Sequence, residues 1–332
     1  MKEKKLMQLR NKSVFAPYFT DFIEQKRALG NRYDTCVETL NLFDDFCIDQ
    51  GITEPKITPE LFQKWCKCRP SENQTTQVIR INYLQIFCKY MHNNGLDAPC
   101  AFHPLPSKSK EFRPYIFTEK EISNFIAAVD KKHTVPIPGT PVRHLVYPVL
   151  FRVLCGCGLR INEALQLKSE DVDLEKGTLL IRQAKGGKDR MVVLSDSLLA
   201  ICRDYRSDPL IREYGHEYFF PTREHGFYDE STIYADFRKY LQLSGINHHG
   251  RGYGPRLHDF RHTFAVRVIQ KWQAEGKDIY LCLPILQSYL GHAKLSSTEK
   301  YLRLVPEAYM QVTDPCEKKF GYIFPEVHNE TE

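Results

Sequence analysis

Four short segments put guanidinium, imidazole, ammonium and phenol groups where packing alone would not ask for them. They are Gly158-Leu159-Arg160-Ile161-Asn162-Glu163, Lys185-Gly186-Gly187-Lys188, His258-Asp259-Phe260-Arg261-His262, and Gly291-His292 followed by Tyr301. Together they describe a site that could hold one phosphate diester and attack it without a metal. In the five-coordinate transition state the non-bridging oxygens gain negative charge, and guanidinium forks from two sides match that geometry better than point charges do. Arg160 and Arg261 are the candidate clamp. A phenol, with a reference pKa of about 10, becomes a nucleophile only in positive surroundings and with a base to take its proton. Tyr301 is the candidate nucleophile and His258 the candidate proton acceptor. The departing sugar oxygen leaves poorly unless it is protonated, a role suited to a lysine on a mobile hairpin, and Lys185 is the candidate acid. His292, nine residues before Tyr301, is close enough across one helix and turn to donate a hydrogen bond to a phosphate oxygen beside it.

Taken singly, each of these residues has an ordinary explanation. Exposed arginines form weak surface ion pairs, histidines sit satisfied near helix ends, and a tyrosine is commonly half-buried packing. The stretch from Lys185 to Arg190 would serve as a solvated hairpin tip with Gly186-Gly187 as its turn. It is not a phosphate-binding loop, because the Gly-Lys-Ser/Thr ending with its four-residue lead is missing.

The elements that must position these groups follow from periodicity and punctuation. A chain of 332 residues is long enough for two domains of ordinary size, each with its own core. Its 42% hydrophobic and 26% charged residues exclude disorder for the bulk of it. Between residues 15 and 94, apolar residues recur at helical steps (Phe15, Tyr18, Phe19, Phe22, Ile23; then Leu40, Phe43, Phe46, Cys47). Two further helices are expected over residues 58–68, with Pro59 just inside the start, and 77–91, before Asn93-Asn94-Gly95. Residues 13–97 thus form a helical domain behind a short basic arm, residues 1–12. Residues 98–116, with Pro99, Pro104, Pro106 and Pro114 among Lys108, Lys110 and Arg113, read as an extended basic linker.

The second domain, residues 117–305, opens with a capping box at Thr118 and Glu121. A long apolar helix over residues 142–155 breaks at Gly156-Cys157-Gly158, so Arg160 sits at a turn before a short helix to Leu167. Residues 178–182 and 190–194 are β-rich and flank Lys185, which predicts a hairpin. Helices are expected near residues 231–243, 257–272 and 284–290, with a short one at a second capping box, Ser296 to Glu299. Residues 306–332 form a loosely patterned, acidic-ending tail. The fold class is therefore mainly α with a small antiparallel β-sheet or hairpin.

No stretch approaches the roughly 18 apolar residues of a membrane span, and the basic start lacks a signal-peptide apolar run. A cytoplasmic protein is expected. Eleven cysteines in such a chain read as reduced thiols. The close pairs Cys66/Cys68 and Cys155/Cys157 have one intervening residue, tighter than zinc knuckles use, so no metal site is expected. A net charge of +5 permits an anionic partner without proving one.

In order and local context, the series Arg160, Lys185, His258, Arg261, His292, Tyr301 resembles the tyrosine recombinase, or phage integrase, family. Cys157-Gly158-Leu159-Arg160 with Glu163, Leu165, Leu167, Asp171 and Asp173 looks like the family's first arginine motif. Lys185-Gly186-Gly187-Lys188-Asp189-Arg190 resembles the hairpin bearing its catalytic lysine, and Leu257-His258-Asp259-Phe260-Arg261-His262-Thr263-Phe264-Ala265 its His-x-x-Arg motif. Leu290-Gly291-His292 through Thr298 to Tyr301 resembles the motif with the nucleophile. Two departures stand out. Arg261 and His292 are 31 residues apart, wider than compact members need, with residues 273–283 as the expected extra loop, and Phe260 stands where leucine is more usual.

The resemblance implies attack by Tyr301 on a scissile phosphate, a 3′-phosphotyrosyl link and a free 5′-hydroxyl that later attacks a partner strand. It also implies that no ATP, cofactor or divalent metal is used, since the arginines supply the charge that magnesium supplies in two-metal nucleases. Glu163 would brace the site rather than react, because a carboxylate beside the phosphate repels it. The implied partner is double-stranded DNA at specific recombination sites, clamped by the two domains, with Lys188, Arg190, Arg251 and Arg256 as candidate phosphate contacts. A homotetramer in the synapse, accessory recombination proteins, and docking of the tail on a neighbouring protomer are further implications. The two-domain plan fits a mobile-element recombinase serving integration, excision or transposition. The alternatives are a non-catalytic DNA-binding regulator with the same fold and a nicking-rejoining topoisomerase of type IB.

Overall fold

The computed structural model describes residues 6–30, 32–70, 72–99, 114–132, 139–182, 189–248, 250 and 254–305. The chain divides between Phe112 and Arg113 into two compact units.

The first unit is built from four helices, α1 (Ala16–Ala28), α2 (Asp34–Asp49), α3 (Pro59–Cys66) and α4 (Gln74–Asn93). Their starts are chemically marked: the Thr58 side chain accepts the Leu61 N–H with Pro59 at the first helical position, and Asn73 accepts that of Thr76. Both helices run longer or shorter than their apolar pattern by a few residues, as fraying ends do. The core is aromatic, with Phe15, Phe19, Phe22, Phe43 and Phe87 all fully buried and the Phe19 and Phe87 rings 4.9 Å apart. Residues 6–12 of the basic arm are tied to α2: the buried Asp44 carboxylate accepts the N–H groups of Lys12 and Ser13, and Asn41 accepts that of Arg10. Arg10 and Lys12 both pair with Asp45, so much of the arm's charge is met locally.

The second unit opens with α5 (Glu119–Lys132), where Thr118 and Glu121 make the reciprocal cap that the sequence announces. α6 (Arg143–Cys157) runs through Gly156, two residues past the expected break, and α7 (Ile161–Leu165) follows. The sheet has three antiparallel strands in the order β1 (Val172–Asp173), β2 (Thr178–Ile181), β3 (Arg190–Val193), with Thr178 opposite Val193 and Ile181 opposite Arg190. The hairpin is thus present, and β1 extends it. Two helices without an expectation, α8 (Asp196–Ser207) and α9 (Pro209–Tyr214), precede α10 (Glu230–Leu243) and α11 (Leu257–Ala274).

Two expectations fail in the last stretch. Residues 273–283 are mostly not a loop: α12 (Ile279–Leu290) begins at a cap in which Asp278 accepts the N–H groups of Tyr280 and Leu281, and it runs through Pro284. α13 (Ser296–Glu299) forms, but Leu295 in helical geometry precedes it and no side chain caps it, so the second capping box is not made. The main core gathers Phe117, Phe125, Phe151, Phe237 and Phe260, with Phe260 stacked on Phe117 at 4.8 Å. The larger ring at 260 is filled by aromatic packing. A second cluster joins Val266, Ile269, Leu283, Leu286 and Leu290 to Tyr301. No helix among the described residues is long and apolar enough to cross a membrane.

Candidate active site

Two glycines turn the chain so that the polar groups converge. Gly158 ends α6 with φ of +59°, and a Cβ there would lie 2.6 Å from the Phe264 ring, so only glycine fits. The chain then steps through an extended Arg160 into α7, and the Arg160 N–H donates to the Glu163 carboxylate at 2.9 Å. Gly291 ends α12 in the same left-handed way, with φ of +65°, and throws His292 out of the helix line.

Glu163 is the hub. Its carboxylate accepts the Arg160 Nη1–H at 2.7 Å and both terminal nitrogens of Arg190, at 3.0 and 2.6 Å, while Arg261 Nη1 lies 3.9 Å away. Burial alone would raise its pKa, but hydrogen bonds from Arg190 and from the Arg160 backbone, reinforced by the arginine charges, hold it at about 2. Three guanidiniums thus face one carboxylate, which leaves the cluster net positive.

Arg261 is 1% exposed. It donates from Nη1 to the Gly158 carbonyl at 2.9 Å and from Nη2 to the Leu290 carbonyl, whereas its buried Nε has no hydrogen-bond partner among the described residues. Burial and the neighbouring Arg160 charge press its pKa down to about 10. Arg160 Nη2 reaches the Gly291 carbonyl at 3.4 Å. Each arginine is therefore held partly by a carbonyl from the turn that presents the other groups. Such a positive cluster, built around a buried Arg261, is suited to an oxyanion.

Tyr301 is 4% exposed. Burial raises its hydroxyl above the usual phenol range, against the pull of the Arg261 and Arg160 charges. The hydroxyl lies 3.2 Å from His262 Nδ1. His262 follows His258 by one helical turn on α11, and their rings meet edge to face at 4.7 Å. His292 stacks beside the Tyr301 ring at 6.1 Å, and its Nδ1 is 2.9 Å from Thr298 Oγ1. Loss of water around the ring, followed by nearby positive charge, lowers His258 to about 4 although the residue keeps an exposed edge, and lowers the half-buried His292 to about 4; burial and His258 lower the half-buried His262 to about 3. All three are neutral at pH 7.

The structure therefore brings together Arg160, His258, Arg261, His292 and Tyr301. Lys185, Lys188 and Arg251 lie outside the described residues. Arg256 stands before α11, with its side chain 39% exposed and its Nε 3.8 Å from Asp259. Arg190 is not a free phosphate contact: with 7% of its side chain exposed, it gives Nε to the Tyr289 carbonyl and its fork to Glu163. Sequence reading missed this brace, as it missed the Thr298 partner of His292 and the His262 contact with Tyr301. Only the last left a trace, since residues four apart share a helix face. No group of three or more His, Cys, Asp or Glu side chains among the described residues could hold a metal ion.

The phage integrase family, compared as a whole, matches this chain over residues 116–307. The candidate integrase/recombinase y4rB of Sinorhizobium fredii is 31% identical over 317 residues, 93% of this chain and 98% of that protein. Tyrosine recombinase XerA of Pyrococcus horikoshii is 29% identical over 224 residues, 67% of each chain. Among solved structures, the site-specific recombinase XerH bound to a palindromic difH substrate after cleavage matches with a TM-score of 0.63 at 19% identity, covering 86% of this chain and 80% of that one. The Tn1549 transposon integrase with transposon right-end DNA matches with a TM-score of 0.62 at 14% identity, covering 93% and 100%. At these identities the structural likeness is one of fold.

Proposed function

Because the chain belongs to the phage integrase family, we propose that it is a site-specific tyrosine recombinase that cleaves and rejoins duplex DNA through a 3′-phosphotyrosyl link at Tyr301. The observation that carries this reading is the setting of Tyr301: a buried phenol with a histidine nitrogen 3.2 Å from its hydroxyl, beside an arginine cluster with one carboxylate among three guanidiniums. In the reaction, Arg160 and Arg261 hold the non-bridging oxygens as charge builds on them, and His292 donates to one of those oxygens. Lys185 protonates the departing 5′ oxygen, and the phenol proton passes to the histidines of α11, where sequence reading assigned it to His258. The phosphoester energy is kept in the tyrosyl link, so resealing needs no ATP.

The partner is double-stranded DNA at specific recombination sites. Synapsis joins four protomers, with residues 306–332 as the piece that docks on a neighbour and accessory recombination proteins as further partners. The setting is that of a cytoplasmic, mobile-element enzyme for integration, excision or transposition. Covalent trapping tests this directly. Wild-type protein and Tyr301→Phe are mixed, in EDTA, with nicked duplex made from the DNA flanking the coding sequence. A denaturant-resistant adduct with wild type alone is expected. An adduct with both places the nucleophile elsewhere, and binding without any adduct favours a non-catalytic DNA-binding regulator. Relaxation of plasmid that lacks the bound sequence would favour a topoisomerase.

A further inference from the structure

We infer that His262 is the group that takes the proton from Tyr301 during attack and returns it during resealing. The inference rests on the recombinase reading above and assigns one step within it. Among the groups around the hydroxyl, the arginines cannot accept a proton at any working pH. The contact at the hydroxyl is made by His262 Nδ1, at 3.2 Å, within the reach that proton transfer requires. The fold fixes His262 in this position. It sits mid-helix on α11, its ring is braced edge-on by His258, and it lies 5.5 Å from the Tyr301 ring, centre to centre. In the neutral ring one nitrogen carries the proton and the other a lone pair. With the proton on Nε2, Nδ1 accepts the Tyr301 O–H and turns an oxygen lone pair outward for attack.

During attack, a lone pair of the Tyr301 oxygen forms the new bond to phosphorus, the hydroxyl proton moves to His262 Nδ1, and the P–O5′ bond breaks. The 5′ oxygen leaves with the bond pair and takes a proton from the lysine acid. Resealing runs the same transfers backwards, and His262 gives its proton to the phenolate. Without DNA, His262 is a poor base, with its pKa at about 3 under burial and the combined influence of His258, Arg256, Arg261 and His292. A phosphate diester held by the arginines brings a negative charge into that field and raises the basicity of the imidazole. The tyrosine is thereby activated only when a strand is in place.

The full-length protein tests this with a duplex whose scissile 5′ oxygen is replaced by sulfur, at the bond mapped by the wild-type adduct. Sulfur leaves without protonation, so the rate of adduct formation isolates the base. His262→Asn keeps a hydrogen-bonding atom near the position of Nδ1 but cannot accept the proton. It is expected to slow single-turnover adduct formation by about 10²- to 10⁴-fold, with DNA affinity held and with the rate still rising with pH where wild type is flat. His258→Asn should slow it less and leave the profile in place. A wild-type rate and profile for His262→Asn, or the altered profile in His258→Asn instead, overturns the inference while the wild-type adduct upholds the recombinase reading. No adduct from bound wild-type protein overturns both. Should His262→Asn fail to bind DNA, 3-fluorotyrosine at position 301 of otherwise wild-type protein decides. The acid limb of the rate profile stays in place if it belongs to His262, and shifts down with the phenol if Tyr301 ionises unaided.

Discussion

Each unit buries an arginine almost completely, Arg80 at 3% exposure and Arg261 at 1%, yet the two are treated in opposite ways. Arg80 gives Nε and Nη2 to the Glu72 carboxylate, both at 2.8 Å, gives Nη1 to the Trp65 carbonyl, and lays its plane over the Trp65 ring at 4.7 Å. Its charge is neutralised and every nitrogen is used. Arg261 is held by two neutral carbonyls, keeps an Nε with no partner among the described residues, and has its carboxylate 3.9 Å away and shared with two other arginines. A buried charge that shares a distant carboxylate and leaves one donor unmet costs more to bury than a closely paired one. Burial alone therefore does not distinguish the two arginines; what differs is that Arg80 meets Glu72 at 2.8 Å, whereas Arg261, which the proposed reaction uses, shares a carboxylate 3.9 Å away.

That contrast breaks most readily under a crossed pair of substitutions. Arg261→Ala should lower adduct formation by about 10²- to 10³-fold, the scale of losing one preorganised oxyanion donor, with the protein still folded. Arg80→Ala should instead destabilise the first unit by about 3–5 kcal/mol, because Glu72 is left buried without its partner, and should leave cleavage per folded molecule unchanged. If Arg80→Ala slows chemistry more than Arg261→Ala does, the contrast is wrong. The next effect is expected at Arg190. Arg190→Ala strips Glu163 of its two-pronged partner and should cost the second unit about 2–4 kcal/mol in denaturant unfolding, with a loss of cleavage smaller than that of Arg261→Ala.

Acid should separate the units further. His258, His262 and His292 hold folded pKa values of about 4, 3 and 4, below the ordinary 6.5. Between those values the unfolded chain binds protons that the folded one does not, so the stability of the second unit is full above about pH 6.5 and falls towards pH 4. Asp259, raised to about 6 by burial, opposes this over part of the range, and the exposed His258 adds less than His262 and His292 because water screens it. Glu163 adds a later loss, from its ordinary 4.5 down to about 2. In the first unit, the buried Glu72 is lowered chiefly by its Arg80 hydrogen bond, so its loss begins only in the carboxylate range. The chain has two tryptophans, Trp65 in the first unit and Trp272 in the second. Variants retaining one or the other should show the second unit losing at least ~2 kcal/mol between pH 7 and 5 while the first barely changes. Equal losses in both would remove the distinction. The smallest expected effect is at Thr298. Thr298→Val removes the partner of His292 Nδ1, which should cost about 1 kcal/mol and a few-fold in adduct formation.

Much of this organisation could be read from residue order, for identifiable reasons. Thr58, Asn73 and the Thr118/Glu121 pair mark helix starts by local chemistry, and the β-rich stretches on either side of Lys185 mark a hairpin. α8 and α9 were missed because the apolar residues of α8 bunch together at 198–202 instead of recurring at helical steps, α9 is only six residues long, and their caps, Ser195 and Asp208, draw notice only once the helices are seen. Residues 273–283 were misjudged because Pro284 suggests a helix start, whereas Asp278 starts α12 earlier and the proline is carried inside it. At the site, motif order brought out five of the described side chains that converge. The roles of Arg190, which meets Glu163 from 27 residues away, and of His262, which meets Tyr301 from 39, depend on tertiary contacts. No local pattern encodes those.

The carbonyls that hold the two arginines also set an order of events during synthesis. Arg160 is made early in the second unit, but its Gly291 partner comes 131 residues later, and the Leu290 carbonyl that receives Arg261 comes 29 residues after that arginine. Arg190 likewise waits for Tyr289, 99 residues on. At roughly 5–20 residues per second on the ribosome, several seconds or more separate the first arginine from the turn that locks it. Tyr301 follows only ten residues after that turn. The arginines are thus locked and the tyrosine made almost together, so the nascent chain lacks the turn that holds its arginines until just before Tyr301 is added.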